Sequence, residues 1–280
     1  MKKVLVTGAG GMLGQDLCPI LEDNGYEVVE TRSSNMDITN PEMVKDVIEK
    51  EMPEIVIHCA AYTNVDKAED DLKTAELINV TGTENVAEVC GKLGITLVYI
   101  STDYVFDGTK ADPYTPQDRT NPINNYGMTK YEGEEAVRSL CEKYYVVRTS
   151  WLYGHHGKNF VETMLNLAKT QKELNVVDDQ IGCPTWTVEL SNGIMKLLAS
   201  KPYGTYHVCG SGFTSWYGFA KEIFEQANIQ VNLKPCMTAD FPRPAKRPFF
   251  SVMDNEGICR NWKAALTVSY THLTLPTKLE

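Results

Sequence analysis

Lys3-Val4-Leu5-Val6-Thr7-Gly8-Ala9-Gly10-Gly11-Met12-Leu13-Gly14 opens the chain with a short apolar run that breaks into a glycine-rich turn. The run has the composition of a buried strand, and from Met12 onward the apolar residues take helical spacing. Strand, glycine turn and helix in this order let backbone amides approach a pyrophosphate closely and let the new helix pack tightly on its strand. A glycine triplet alone is weak evidence, because many turns are glycine-rich. Its place directly after the first strand favours nucleotide binding over a purely structural turn.

Outward from this stretch, β-rich apolar runs alternate with helix-period segments. Strands are expected at 3–7, 27–31, 55–59, 96–101 and 144–148, and helices at 12–24, 41–51, 75–93 and 126–142. Pro41 suits a first helical turn, with Thr39 or Asn40 as cap. Beyond Trp151 the pattern loosens, with further helices near 159–170 and 187–200, one more strand at 206–209, and a proline-rich run from Pro235 to Pro248 that reads as loop. The fold class is therefore α/β: a Rossmann-type doubly wound parallel sheet with a smaller substrate-binding lobe. Residues 1–150 are expected to form the NADP(H)-binding domain, with returning segments near 187–225, and 151–266 mainly the substrate lobe. The Thr-rich end, 267–280, shows no amphipathic period and reads as a non-native tail, similar to a translated library adapter, with a natural terminus as the alternative.

A chain of 280 residues can bury a full core. Its net charge of −10 argues against a general nucleic-acid binder, which needs a basic surface. No apolar run is long enough to span a bilayer, and the short N-terminal run is unlike a signal peptide, so no membrane partner and a cytoplasmic location are expected. The eight cysteines include no CxxC pair, so no zinc or redox motif is visible and reduced, mostly buried thiols are expected.

At the cofactor end, Gly8, Gly11, Met12, Leu13 and Gly14 form the turn and helix start. After the second strand, where an NAD enzyme usually places an acid for the ribose hydroxyls, the sequence reads Glu30-Thr31-Arg32-Ser33-Ser34. Arg32 can read a 2′-phosphate, which favours NADPH; as a solvated surface charge it would leave NADH open, since Glu30 can still reach a ribose. Asp37 and Ile38 are placed near the adenine, and Ala60, Ala61 and Tyr62 follow the next strand, where small residues let a cofactor lie against the sheet edge. The two alanines are equally at home in a core.

YxxxK puts a phenol and an ammonium on one helical face. The pattern occurs twice, at Tyr126/Lys130 and at Tyr217/Lys221, so spacing alone proves nothing. The second pair lies among aromatic and aliphatic residues at core spacing and reads as structural. The first follows a strand ending Ser101-Thr102-Asp103-Tyr104. Ketone reduction needs hydride on carbon and a proton on oxygen. A phenol with a pKa of about 10 is a poor acid-base group at neutral pH, and lowering it by about three units takes roughly 4 kcal/mol, which a nearby ammonium can partly supply.

Tyr126-Gly127-Met128-Thr129-Lys130 with the strand before it, and the Gly8-x-x-Gly11-x-x-Gly14 turn, resemble the sugar-nucleotide branch of the extended short-chain dehydrogenases/reductases. Within it, 61–69, 101–108, 148–154, 179–185 and Arg247-Pro248 resemble the dTDP-4-dehydrorhamnose reductase family, in one order from Met1 to about Trp262. The resemblance implies reduction of the C4 keto group of dTDP-4-dehydro-L-rhamnose. It makes Tyr126 the proton donor, Lys130 a ligand of the nicotinamide ribose, and Thr102 the hydroxyl that orients the carbonyl. It also implies that Thr102, Asp103, Tyr104, Tyr126 and Trp151 face the sugar. Arg247 is a candidate diphosphate contact or a solvated loop arginine. Dehydratases of this branch carry Thr-Asp-Glu where this chain has Thr102-Asp103-Tyr104, which weighs against dehydration. An NAD-retaining nucleotide-sugar epimerase and a non-catalytic regulatory subunit of a methionine adenosyltransferase remain as alternatives. Some members dimerise through magnesium; Asp16 and Glu189 match two ligand positions, which leaves a homodimer open while no metal is assigned.

Overall fold

The computed structural model describes residues 1–274, with side chains described through Tyr270; the remainder of the expected tail, 275–280, lies outside the described residues. In chain order the main elements are β1 (Lys3–Thr7), α1 (Met12–Asp23), β2 (Glu27–Glu30), α2 (Pro41–Glu51), β3 (Ile55–His58), α3 (Gly82–Leu93), β4 (Thr96–Thr102), α4 (Asn125–Leu140) and β5 (Tyr144–Thr149). There follow α5 (Phe160–Ala168), β6 (Glu173–Val177), α6 (Thr187–Ser200), β7 (Gly204–His207), α7 (Trp216–Ala227), β8 (Asn232–Cys236) and α8 (Trp262–Thr274).

Six strands form one parallel sheet in the order β7-β5-β4-β3-β1-β2. Successive residues of β1 point to opposite faces, so both faces need covering. On one face Val4, Val6 and Ile57 pack with Leu13 and Leu17 of α1 and with Leu190 and Ile194 of α6. On the other, Leu5, Val56 and Leu97 pack with Val44 of α2, Val86 of α3 and Val137 of α4. This is the doubly wound α/β fold. The chain leaves β1 toward β2 and returns on the other side to β3, which opens a crevice at the carboxyl ends of these strands. Among the described residues no helix is long and apolar enough to cross a membrane.

A separate core joins Tyr153, Val161, Leu174, Trp186, Phe219, Ile223 and Trp262. The sheet-bound return is shorter than 187–225: α6 and β7 join the sheet, whereas α7 belongs to this second core. Its Lys221 pairs with Glu225 at 3.8 Å in solvent, and Tyr217 packs on the core, as a structural reading of the second YxxxK requires.

Three expectations are corrected. The helix expected over 75–93 is interrupted by a π-helical turn at Leu77–Thr81 ahead of α3. The loop expected from Pro235 begins later, because β8 includes Pro235, paired in parallel with Val176 of β6. A two-stranded ribbon offers the edge position where a missing N–H costs little. The stretch from residue 267, expected to lack a helical period, continues α8. Trp262, Ala265, Leu266 and Ser269 are buried at i, i+3, i+4 and i+7, a stripe that starts before the tail and carries into it.

Candidate active site

A cleft of about 920 Å³ lies over the carboxyl ends of β1, β3, β4 and β5. Gly8, Gly11, Met12, Leu13 and Gly14 line one end. Gly8 has φ +63°, and a Cβ there would stand 2.8 Å from the Ala60 backbone; at Gly14 it would stand 2.5 Å from Ala9 Cα. Both positions therefore demand glycine. Among the described residues no side chain caps the start of α1 at Gly11, so the first amides of the helix are left to the cleft. An uncapped helix start over glycines fits the diphosphate of a dinucleotide.

Arg32 lies against Gly10, with Nε 3.3 Å from where a Cβ would be, and its exposed guanidinium is 3.4 Å from Glu30 Oε2. Asp37 and Ile38 line the same end. Asp37 Oδ1 accepts from Thr39 N (2.9 Å) and Oγ1 (2.8 Å), and Ile38 O accepts from Asn85 Nδ2 (2.8 Å), which fixes this wall from α3. Ala60 and Ala61 form the floor. Tyr62 is not among the lining residues; its backbone N donates to Asn79 Oδ1 (2.8 Å) and its carbonyl accepts from Asn79 Nδ2 (3.1 Å).

Thr102, Asp103, Tyr104, Tyr126, Lys130 and Trp151 line the other end. Asn124 caps α4 by accepting from Gly127 N (2.7 Å), so the helix begins beside Tyr126. Gly127 sits where a Cβ would be 2.2 Å from Tyr104 O, bringing α4 close against the β4 exit. The Tyr104 and Tyr126 rings meet edge to face at 5.8 Å. Lys130 Nζ lies 4.1 Å from the Tyr99 ring centroid, a cation over a buried aromatic face.

The electrostatics correct one expectation. Burial, then the nearby Asp103 carboxylate, pushes the Tyr126 phenol well above its ordinary value, against a smaller lowering by the neighbouring Thr102 hydroxyl. Lys130 is itself pushed down to about 7 by burial, opposed by Glu134. The phenol is therefore held in its protonated form, because desolvation of the anion dominates its surroundings.

Burial pushes the Asp103 carboxyl up to about 6, although Ser251 Oγ (2.6 Å) and Thr102 Oγ1 (3.0 Å) donate to it. A carboxyl raised in the fold contributes stability that is complete below its unfolded pKa and lost as pH rises through 6. Roughly two units correspond to about 3 kcal/mol. Asp103→Asn is expected to gain up to about that much at pH 7 relative to the parent, with the gap closing toward pH 4. Urea unfolding at pH 4–7 checks this; parallel curves for the two proteins would count against it.

Trp151 adopts φ +47°, a left-handed backbone rare for a bulky residue. Its indole stacks on Trp216 at 3.5 Å and 6°, and a Cβ at Gly182 would fall 2.5 Å from it. Packing on both sides thus holds the strained residue against the cleft. Arg247 does not line the cleft: it pairs with Asp66 at 3.0 Å, donates to Ala245 O (3.1 Å) and bonds Tyr104. Asp16 accepts from Thr187 Oγ1 and lies 3.5 Å from His156 Nε2, while Glu189 pairs with Arg260 at 2.7 Å. Among the described residues no group of three His, Cys, Asp or Glu could hold a metal ion. Sequence reading missed Asn79 and Ser251; a buried asparagine inside an apolar helical run was the only available signal for the first.

A family model described as RmlD substrate binding domain matches residues 1–274. The dTDP-4-dehydrorhamnose reductase of Aggregatibacter actinomycetemcomitans is 41% identical, over 91% of this chain and 91% of its own length. A solved dTDP-4-dehydrorhamnose reductase from Clostridium acetobutylicum shares the fold with a TM-score of 0.95 at 46% identity, over 98% of this chain and 100% of that one. Another, from Bacillus anthracis in complex with NADP, gives 0.94 at 43%, over 97% and 100%. With the glycine turn, Thr102, Tyr126 and Lys130 around one cleft, and relatives this similar over nearly their whole length, the chain belongs to the RmlD family, the dTDP-4-dehydrorhamnose reductases among the extended short-chain dehydrogenases/reductases.

Proposed function

We propose that this chain reduces the C4 keto group of dTDP-4-dehydro-L-rhamnose to the alcohol, giving dTDP-L-rhamnose. The observation that carries the reading is the meeting of Thr102, Tyr126 and Lys130 with the glycine turn in one cleft. It is supported by relatives named for this reduction, one of them in complex with NADP. NADPH, when bound, supplies the hydride that the carbonyl carbon receives. The Thr102 hydroxyl orients the carbonyl oxygen, and Tyr126 gives that oxygen its phenolic proton. Lys130 stabilises the phenolate left behind and holds the nicotinamide ribose. Gly11, Met12 and Leu13 offer amides to the diphosphate, while Asp103, Tyr104 and Trp151 bound the sugar. In this reading 1–150 with α6 and β7 is the cofactor lobe and most of 151–266 the sugar lobe.

The test is to supply the keto sugar with NADPH and follow both products. Release of one oxidised cofactor per alcohol formed is the expected result. Turnover without net cofactor oxidation would instead indicate an epimerase, and no turnover with intact NADPH binding would indicate a regulatory subunit. Arg32→Ala is expected to lower the NADPH over NADH preference in kcat/KM by roughly 10- to 150-fold, since a charged contact to phosphate is worth roughly 1.5–3 kcal/mol. An unchanged ratio would remove Arg32 from phosphate recognition.

A further inference from the structure

A line of buried side chains runs from the glycine turn to the backbone of Tyr126, and His58 is its central link. Thr7 Oγ1 accepts from Ala60 N (3.1 Å) and meets His58 Nδ1 at 2.7 Å. His58 Nε2 lies 3.2 Å from Thr83 Oγ1, whose hydroxyl donates to Asn79 O (2.7 Å). Since that hydroxyl is committed to the carbonyl, Nε2–H must donate to Thr83, and Nδ1 must accept from Thr7. The pattern admits one tautomer of a neutral ring.

Beyond Asn79 the line divides. Its amide exchanges both bonds with the backbone of Tyr62 and donates to Thr129 Oγ1 (3.0 Å), and Thr129 donates to Tyr126 O (3.0 Å). Thr7, His58, Asn79, Thr83 and Thr129 are each no more than 1% exposed. Asn79 sits in the π-helical turn, a local widening often kept for function.

We propose that His58 is a positioning residue that ties the cofactor floor at Ala60–Tyr62 to the helix start bearing Tyr126, so that cofactor affinity and proton donation depend on one buried link. The reading rests on the reductase function above. Burial and the Lys130 charge hold His58 down to about 3, so the ring is neutral at neutral pH. His58 also leans on Tyr99 at 5.9 Å, the ring beneath Lys130.

The experiment uses His58→Asn, which keeps an acceptor near Thr7 but loses the donor to Thr83, and Thr83→Val, which removes the hydroxyl between His58 and Asn79. Neither residue lines the cleft. Each variant is expected to weaken NADPH binding, read by fluorescence titration without substrate, and to lower kcat, each about fivefold, the equivalent of one hydrogen bond. Thr83→Ser, which keeps the hydroxyl, is expected to stay within about twofold of the parent. The double variant is expected to be no worse than the poorer single one, because both cut the same link. A merely structural role would lower Tm and leave NADPH affinity and kcat in place; that result, or additive losses in the double variant, overturns the proposal. Failure of the parent to reduce the keto sugar would instead overturn the function, and the NADPH titrations would still decide the role of His58.

Discussion

Tyr126→Phe is expected to cost about 10²- to 10⁴-fold in kcat while leaving NADPH affinity within about twofold, since it removes only a proton donor. The ring stays: it meets Tyr104 edge to face and lines the cleft, so the packing around it has no reason to move. What disappears is the acid that the carbonyl oxygen needs as hydride arrives. The raised phenol pKa keeps the proton on Tyr126 until hydride arrives but makes the phenolate costly, so donation depends on the proton moving to a far more basic alkoxide. Thr102→Val, which keeps the shape, is expected to be harmed in the same parameter. Steady-state kinetics with the keto sugar, beside a fluorescence titration of NADPH, separates the two effects. An unchanged kcat in Tyr126→Phe would sink the assignment of the proton donor.

Legibility followed the range of the interactions. The β1 turn and α1 were readable because one contiguous stretch carries strand, glycines and helix period, and Gly8 and Gly14 are glycine for contacts within this local frame and its neighbouring strand. The sequence could set Tyr126 and Lys130 beside Thr102, and the fold brings all three to one cleft, although the second YxxxK has the same spacing in a different core. The line through His58 was not, because its bonds join residues 51, 25, 17 and 50 apart in sequence, and no local pattern marks such a partner. Arg247 shows the same limit. In Pro242-Arg243-Pro244-Ala245-Lys246-Arg247-Pro248 the sequence offers Arg247 either as a diphosphate contact or as a solvated loop arginine, and its pairing with Asp66 at 3.0 Å, a residue 181 positions away, is marked by no local pattern. Tyr62 was placed by its neighbours Ala60 and Ala61, but its contribution comes through the peptide groups that Asn79 clamps. Pro235 and the stripe of α8 were misread where a general rule, proline as loop or Thr as coil, met a tertiary setting that tolerated the exception.

Glu134→Gln is expected to be the most damaging change to stability, at roughly 3–5 kcal/mol, because it leaves a buried arginine without its counter-charge. Glu134 has no exposed side-chain surface; it accepts from Arg148 Nε (2.9 Å) and Nη2 (2.8 Å), from Arg138 Nη2 (2.7 Å) and from Ser101 Oγ (2.5 Å). Burial alone would raise this carboxyl, but Arg148, Ser101 and Arg138 hold it below its ordinary value. The sign follows: its contribution is complete above the unfolded pKa and is lost as pH falls through the lower folded one. The gap between parent and variant is thus expected to be full at pH 7 and to shrink in acid below about pH 4. At roughly 2–4 °C per kcal/mol for a chain of this size, the neutral-pH loss appears as a fall of about 6–20 °C in Tm. The same carboxylate raises Lys130 against the burial that depresses it. Its removal therefore also reaches the chemistry: Lys130 is expected to lose its proton below about 7, and the alkaline limb of the kcat profile to move to lower pH. Thermal melts at neutral and acid pH, together with that profile, test both halves. A parent-like Tm would mean the arginines find another partner, and an unmoved limb would mean that Glu134 acts on the fold alone.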